Sequence, residues 1–84
     1  MKKITVYSGP LCAFCDAAKR LLGRNNLKYK EIDISTDPNL MDEMIKKASG
    51  KRTIPQIFFE DLHVGGYQEL RELEKSGTLL KNLE

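Results

Sequence analysis

Ile4-Thr5-Val6-Tyr7-Ser8-Gly9-Pro10-Leu11-Cys12-Ala13-Phe14-Cys15 is the stretch that decides the fold. Ile4 and Val6 alternate with Thr5 and Tyr7, all good strand formers, so Lys3 to Ser8 reads as a first strand. Gly9-Pro10 breaks it. Phe14, Ala17, Ala18, Leu21 and Leu22 then recur at helical spacing, up to Gly23 or the Asn25-Asn26 pair. Tyr29 to Ile34 reads as a second strand. A strand, a helix and a strand in close succession make a βαβ unit, which demands a parallel strand pair and a right-handed crossover.

Outward from that unit, Asp37-Pro38 is a helix start: a capping carboxylate followed by proline at the first helical position. Leu40, Met41, Met44, Ile45 and Ala48 form the apolar stripe of this second helix, and Gly50 closes it. Gln56 to Phe59 is a third strand after Pro55, with Phe58 and Phe59 on opposite faces. Asp61-Leu62 turns the chain into a short fourth strand, Leu62 to Val64, ended by Gly65-Gly66. A last helix carries Leu70 and Leu73. Gly77 interrupts it, and Leu79, Leu80 and Leu83 make a terminal helical turn. The order β-α-β-α-β-β-α predicts an α/β domain with a four-stranded mixed sheet flanked by helices.

Eighty-four residues allow one domain, spanning 1–84. A chain of this length buries roughly 60–70% of its unfolded surface, enough for a modest core. Hydrophobic residues make up 40% and charged residues 31%, a globular composition. The longest unbroken apolar run, Leu11 to Cys15, is far short of the ~18 residues of a membrane span. After the basic opening Met1-Lys2-Lys3, the segment Ile4 to Pro10 is too polar and short for a secretory signal, so a cytoplasmic protein is expected. A monomer is expected as well. Net charge is +2, divided unevenly. Residues 1–30 carry seven basic groups and one acid, and residues 31–84 seven and eleven. The basic residues fall on different faces, without the stripe of interleaved aromatics that nucleic-acid binding requires.

Cys12 and Cys15 are the only cysteines. A bridge between them closes too small a loop to stabilise a fold. A structural zinc site needs four ligands as a rule, and the chain adds only His63. Cys12 falls at the helix N-terminus and Cys15 one turn inside, on the same face, where the sulfurs can reach bonding distance. Unpaired N–H groups and the partial positive charge of the helix end favour a thiolate at Cys12. An ordinary cysteine of pKa ~8.5 is about 3% ionised at pH 7, whereas one lowered to ~5.5 is almost fully ionised. The pair therefore reads as a thiol–disulfide redox site.

Cys12-Ala13-Phe14-Cys15 after a strand, Thr53-Ile54-Pro55 before the third strand and Gly65-Gly66-Tyr67 before the last helix stand in the order and spacing of the glutaredoxin landmarks. Across nearly the whole chain the sequence resembles the small bacterial dithiol (class I) glutaredoxins of the thioredoxin superfamily. The resemblance implies a thioredoxin fold and a glutathione-dependent reduction of glutathione mixed disulfides and protein disulfides. It implies Cys12 as nucleophile, Cys15 as resolving thiol, and a cis Pro55 facing the reactive sulfur, with the Ile54 backbone pairing glutathione. It assigns Lys51 and Arg52 to the glycine carboxylate and Gly66, Tyr67, Gln68 and Glu69 to the γ-glutamyl end, with Phe14 and Thr53 also lining the groove. Physical chemistry supports these assignments: a helix N-terminus after paired glycines suits a carboxylate, Glu69 suits the amine, and Lys51-Arg52 suits the distant carboxylate. Glutathione is the expected co-substrate, with disulfide-containing or glutathionylated proteins as partners.

Three departures from the family pattern carry expectations. Ala13-Phe14 replaces the usual proline and tyrosine, which predicts a less rigid turn and a shifted redox potential. Gly9 stands where many relatives carry a lysine, so a cation near the sulfur is missing. Gln68-Glu69 replaces an acidic pair. Loss of the proline also admits a [2Fe–2S] cluster shared by two subunits through Cys12 and glutathione, although no metal is expected. A redoxin reduced directly by a thioredoxin-reductase-type flavoprotein is the other alternative. His63 is expected at the surface, Met41 and Met44 in the core, and Tyr7 near the site, with its role open.

Overall fold

A computed structural model describes all residues, Met1–Glu84. Strand β1 (Ile4–Ser8) leads into helix α1 (Ala13–Arg24), strand β2 (Lys30–Asp33) and helix α2 (Pro38–Lys47). Strands β3 (Gln56–Phe59) and β4 (Leu62–Gly65) follow, then helices α3 (Tyr67–Lys75) and α4 (Leu79–Asn82). The sheet order is β2-β1-β3-β4. β1 runs parallel to β2 and antiparallel to β3, and β3 pairs antiparallel with β4. This is the mixed α/β sheet expected from the sequence.

Alternation along β1 divides the apolar residues between two faces. Ile4 and Val6 join Ile57 and Phe59 in a core covered by Ala18, Leu21 and Leu22 of α1, Leu70 of α3 and Leu79 of α4. Tyr7 and Phe58 face the other way, against Met44 of α2 and Ala48 just beyond it. Phe58 and Phe59 are both buried, on opposite sides, and Met41 packs against the second cluster. A charge-assisted fork ties α1 to α3. Arg24 donates through Nε and Nη2 to the two oxygens of Glu74 at 2.9 and 2.6 Å.

Element ends differ from the expectation where side chains cap them. β2 stops at Asp33, whose carboxylate accepts from the Ser35 N–H at 2.8 Å and turns Ile34–Thr36 into a 3-10 turn. Asp37 caps α2 as expected, accepting from the Asn39 N–H at 2.9 Å, with Pro38 in the first turn. Gly65 ends β4 with φ +119° instead of lying beyond the strand. Tyr7 is buried in the α2-side core, where its hydroxyl donates to Glu43 at 2.6 Å. That bond crosses from β1 to α2 and assigns Tyr7 to packing; burial and the Glu43 carboxylate push its pKa upward.

Candidate active site

The β1–α1 turn and the loop ahead of β3 meet at the cysteines. Cys12 is the N-cap of α1, and its sulfur accepts from the Cys15 N–H at 3.1 Å. The same bond made to a thiolate stabilises the charged form, and the helix end adds its partial charge. The two cysteines are joined as a disulfide, with Cα atoms 5.2 Å apart. Their surroundings differ. Cys15 is 1% exposed while Cys12 is half-buried, so an incoming sulfur can reach Cys12 and not Cys15. Accessibility alone therefore distinguishes the two sulfurs, one open to an incoming group and one shielded from it.

Leu11, before the N-cap, is fully exposed with φ +53°, a region that costs a branched residue energy. Leu11 and Phe14, on either side of Cys12 in the chain, are both exposed apolar side chains. Across the turn, the carbonyl oxygen of Ile54 lies 3.8 Å from the Cys12 sulfur. In the disulfide state that sulfur has no proton to donate, so this is a close approach and not a hydrogen bond. The Ile54–Pro55 peptide is cis, the state that the resemblance implied.

A groove of about 280 Å³ opens beside the cysteines, lined by Phe14, Thr53, Ile54, Pro55, Gly66, Tyr67, Gln68 and Glu69. Eight of the ten groove residues expected from the sequence thus come together. Phe14 and Tyr67 stack at 5.9 Å between ring centroids, joining α1 to the start of α3. Beyond that stack the surface continues into a cavity of about 500 Å³, which also includes Arg71 and Glu72. Lys51 and Arg52 do not line the groove. They are exposed on the loop leading to it, and neither is in an ion pair. Glu69 is turned back on its own helix, where its Oε1 accepts from the Gly66 N–H at 2.7 Å. One of its oxygens is thereby committed to the helix start, where the sequence reading had placed a ligand amine. No three His, Cys, Asp or Glu side chains converge as a metal site.

Two features near the site escaped the sequence reading. Ser8, buried at the end of β1, donates to Glu31 of β2 at 2.6 Å, and Lys19 of α1 donates to the same carboxylate oxygen at 3.0 Å. The Ser8 hydrogen bond first, and then Lys19, hold Glu31 below the usual carboxylate range. His63 is half-buried and stacked on Phe58 at 4.8 Å, with its Nε2 2.7 Å from Gln56 Oε1. It is not the free surface residue expected. Only the pairing of His63 with Phe58 across β3 and β4 could have signalled this, and the register is invisible in one sequence.

The family model described as Glutaredoxin matches residues 4–64. Glutaredoxin 1 of Rickettsia conorii is 45% identical over 82 residues, covering 96% of this chain and 80% of its own. The glutaredoxin of Neisseria meningitidis serogroup A is 40% identical over 80 residues, covering 94% and 93%. The solution structure of glutaredoxin from Brucella melitensis superposes with a TM-score of 0.85 at 42% identity, over 99% of this chain and 89% of that one.

Proposed function

Because the chain belongs to the glutaredoxin family, a family of oxidoreductases, we propose that it uses glutathione to reduce glutathione mixed disulfides and protein disulfides through Cys12 and Cys15. The observation that carries this reading is the reachable sulfur of Cys12, 3.8 Å from the carbonyl of Ile54, a residue that lines the groove, while Cys15 is buried. The Cys12 thiolate attacks the sulfur of glutathione in a mixed disulfide. A Cys12–glutathione disulfide forms, and the partner leaves as a thiolate. A second glutathione thiolate then attacks the glutathione sulfur, releasing oxidised glutathione and restoring Cys12. With a protein disulfide, Cys12 forms a mixed disulfide with the target. Cys15 then attacks the Cys12 sulfur, expels the target's thiolate and leaves the Cys12–Cys15 bond described above. Two glutathione molecules reduce that bond.

The groove supports a small peptide thiol as the reductant. The exposed edge Thr53–Ile54 offers backbone groups, the first turn of α3 offers N–H donors for a carboxylate, and Lys51 and Arg52 are unpaired cations on the approach. We place this activity in the cytoplasm, where a reducing thiol pool returns such a pair to the dithiol.

Turnover of a glutathione mixed disulfide with glutathione as reductant tests the reading. Cys12→Ser abolishes it, and Cys15→Ser retains substantial activity with mixed disulfides while losing that with protein disulfides. Reduction by thioredoxin reductase but not by glutathione would replace this reading with that of a flavoprotein-fed redoxin.

A further inference from the structure

Gln56 is the first residue of β3, directly after the cis Ile54–Pro55 bond, and its side chain is 1% exposed. Its Nε2 donates to the Thr53 carbonyl at 3.0 Å and lies 3.2 Å from the Thr53 hydroxyl oxygen. Its Oε1 is 2.7 Å from Nε2 of His63. The direction of these bonds follows from the partners. A carbonyl can only accept, so the amide nitrogen of Gln56 must face Thr53 and its oxygen must face His63. That oxygen also only accepts, so His63 Nε2 carries the proton and donates. The imidazole is itself fixed, stacked on Phe58 at 4.8 Å with ring planes 23° apart. A chain of two hydrogen bonds thus runs from β4 to the loop at the rim of the groove.

We propose that His63 is a positioning residue, holding the Thr53–Ile54 edge of the groove in place through Gln56. The functional part of this inference rests on the reading of the groove as a glutathione site. Thr53 is exposed and lies outside any helix or strand. A side chain gripping its carbonyl from the buried side limits where the next peptide, Ile54, can present its backbone to a bound thiol. Preorganising an edge in this way lowers the ordering cost of binding and leaves the sulfur exchange itself untouched.

The test compares His63→Phe, which keeps a ring on Phe58 and deletes the donor, with His63→Gln, whose amide restores a donor at that reach. The probe is the mixed disulfide of glutathione with 2-mercaptoethanol. His63→Phe raises KM for it roughly three- to tenfold, the scale of one lost hydrogen bond, while kcat stays within about twofold. His63→Gln returns KM to within about twofold of wild type. An unchanged KM in His63→Phe, or a loss shared by both variants, overturns the proposal. NMR of the oxidised protein without substrate supplies an independent reading. The Ile54 amide resonance moves in His63→Phe and returns in His63→Gln, and His63 of the wild type is protonated at Nε2. An immobile Ile54 resonance, or a wild-type His63 protonated only at Nδ1, overturns the relay. A wild type inert toward glutathione disulfides but with these NMR signatures overturns the glutathione reading and leaves the relay standing.

Discussion

Ile54 Cδ1 lies 2.8 Å from the point that a Cβ on Gly9 would occupy. Gly9 follows β1 and Ile54 precedes the cis proline, so two loops meet at a contact with no room for a further carbon. Position 9 is where many glutaredoxins carry a lysine, and here the Ile54 side chain fills part of that room. Gly9→Ala therefore destabilises by about 1 kcal/mol, the low end for overpacking because the atom struck is the end of a side chain. Ile54→Val removes that atom, and the double variant recovers most of the loss. Urea midpoints of the two single variants and the double variant measure the coupling; additive losses would refute it.

Ala13 is the first residue of α1, a position where proline fits without loss of a helix hydrogen bond. The donor to the Cys12 sulfur is the Cys15 N–H, which a proline at 13 leaves intact. Ala13→Pro raises the stability of the oxidised protein by roughly 0.5 kcal/mol, through the smaller entropy of its unfolded chain. Thermal unfolding checks the sign.

Glu69 and Gly65 form a second tight pair. A Cβ on Gly65 would lie 2.6 Å from Glu69 Oε1, and Gly65 has φ +119°. Glu69→Ala removes the acceptor for the Gly66 N–H and costs about 1 kcal/mol, while Glu69→Gln retains most of that bond. Gly65→Ala costs roughly 2 kcal/mol or more, and adding Glu69→Ala does not rescue it because the backbone strain stays. Chemical denaturation of the four variants separates this behaviour from the rescuable contact at Gly9.

Acid weakens the fold through Glu31. Its folded pKa lies below the unfolded value, chiefly through the Ser8 hydroxyl and then Lys19. Its contribution is complete above the ordinary carboxylate pKa of ~4.3 and disappears as pH falls through the lower folded value. Glu31→Gln is therefore less stable than wild type at pH 6, and the gap narrows progressively below about pH 4. Denaturant midpoints across that range check it; a gap constant with pH would contradict the assignment.

Local signals made much of the fold legible. Asp37-Pro38 marked the start of α2, the alternation through Ile4 and Val6 marked β1, and the run Gln56 to Phe59 is β3 as expected. The site was legible to the extent that landmark residues carry it, with Phe14, Thr53–Pro55 and Gly66–Glu69 meeting in one groove. What stayed hidden depends on partners distant in sequence. Glu43 reaches Tyr7 across thirty-six positions and Glu31 reaches Ser8 across twenty-three. Glu69 shows a different limit: an acid after paired glycines suits a ligand or a helix cap equally, and the folded helix start decides for the Gly66 N–H.

The unequal exposure of Cys12 and Cys15 has a kinetic consequence. On the proposed reading, oxidant and reductant alike must react at Cys12 or at the sulfur bonded to it, because Cys15 is only 1% exposed. The two cannot occupy the site together, so each turnover consists of two half-reactions separated by a departure. Initial rates measured against one substrate at several levels of the other then give parallel double-reciprocal lines, the signature of a ping-pong enzyme. The burial of one cysteine sets that order, a queue of visitors at a single site.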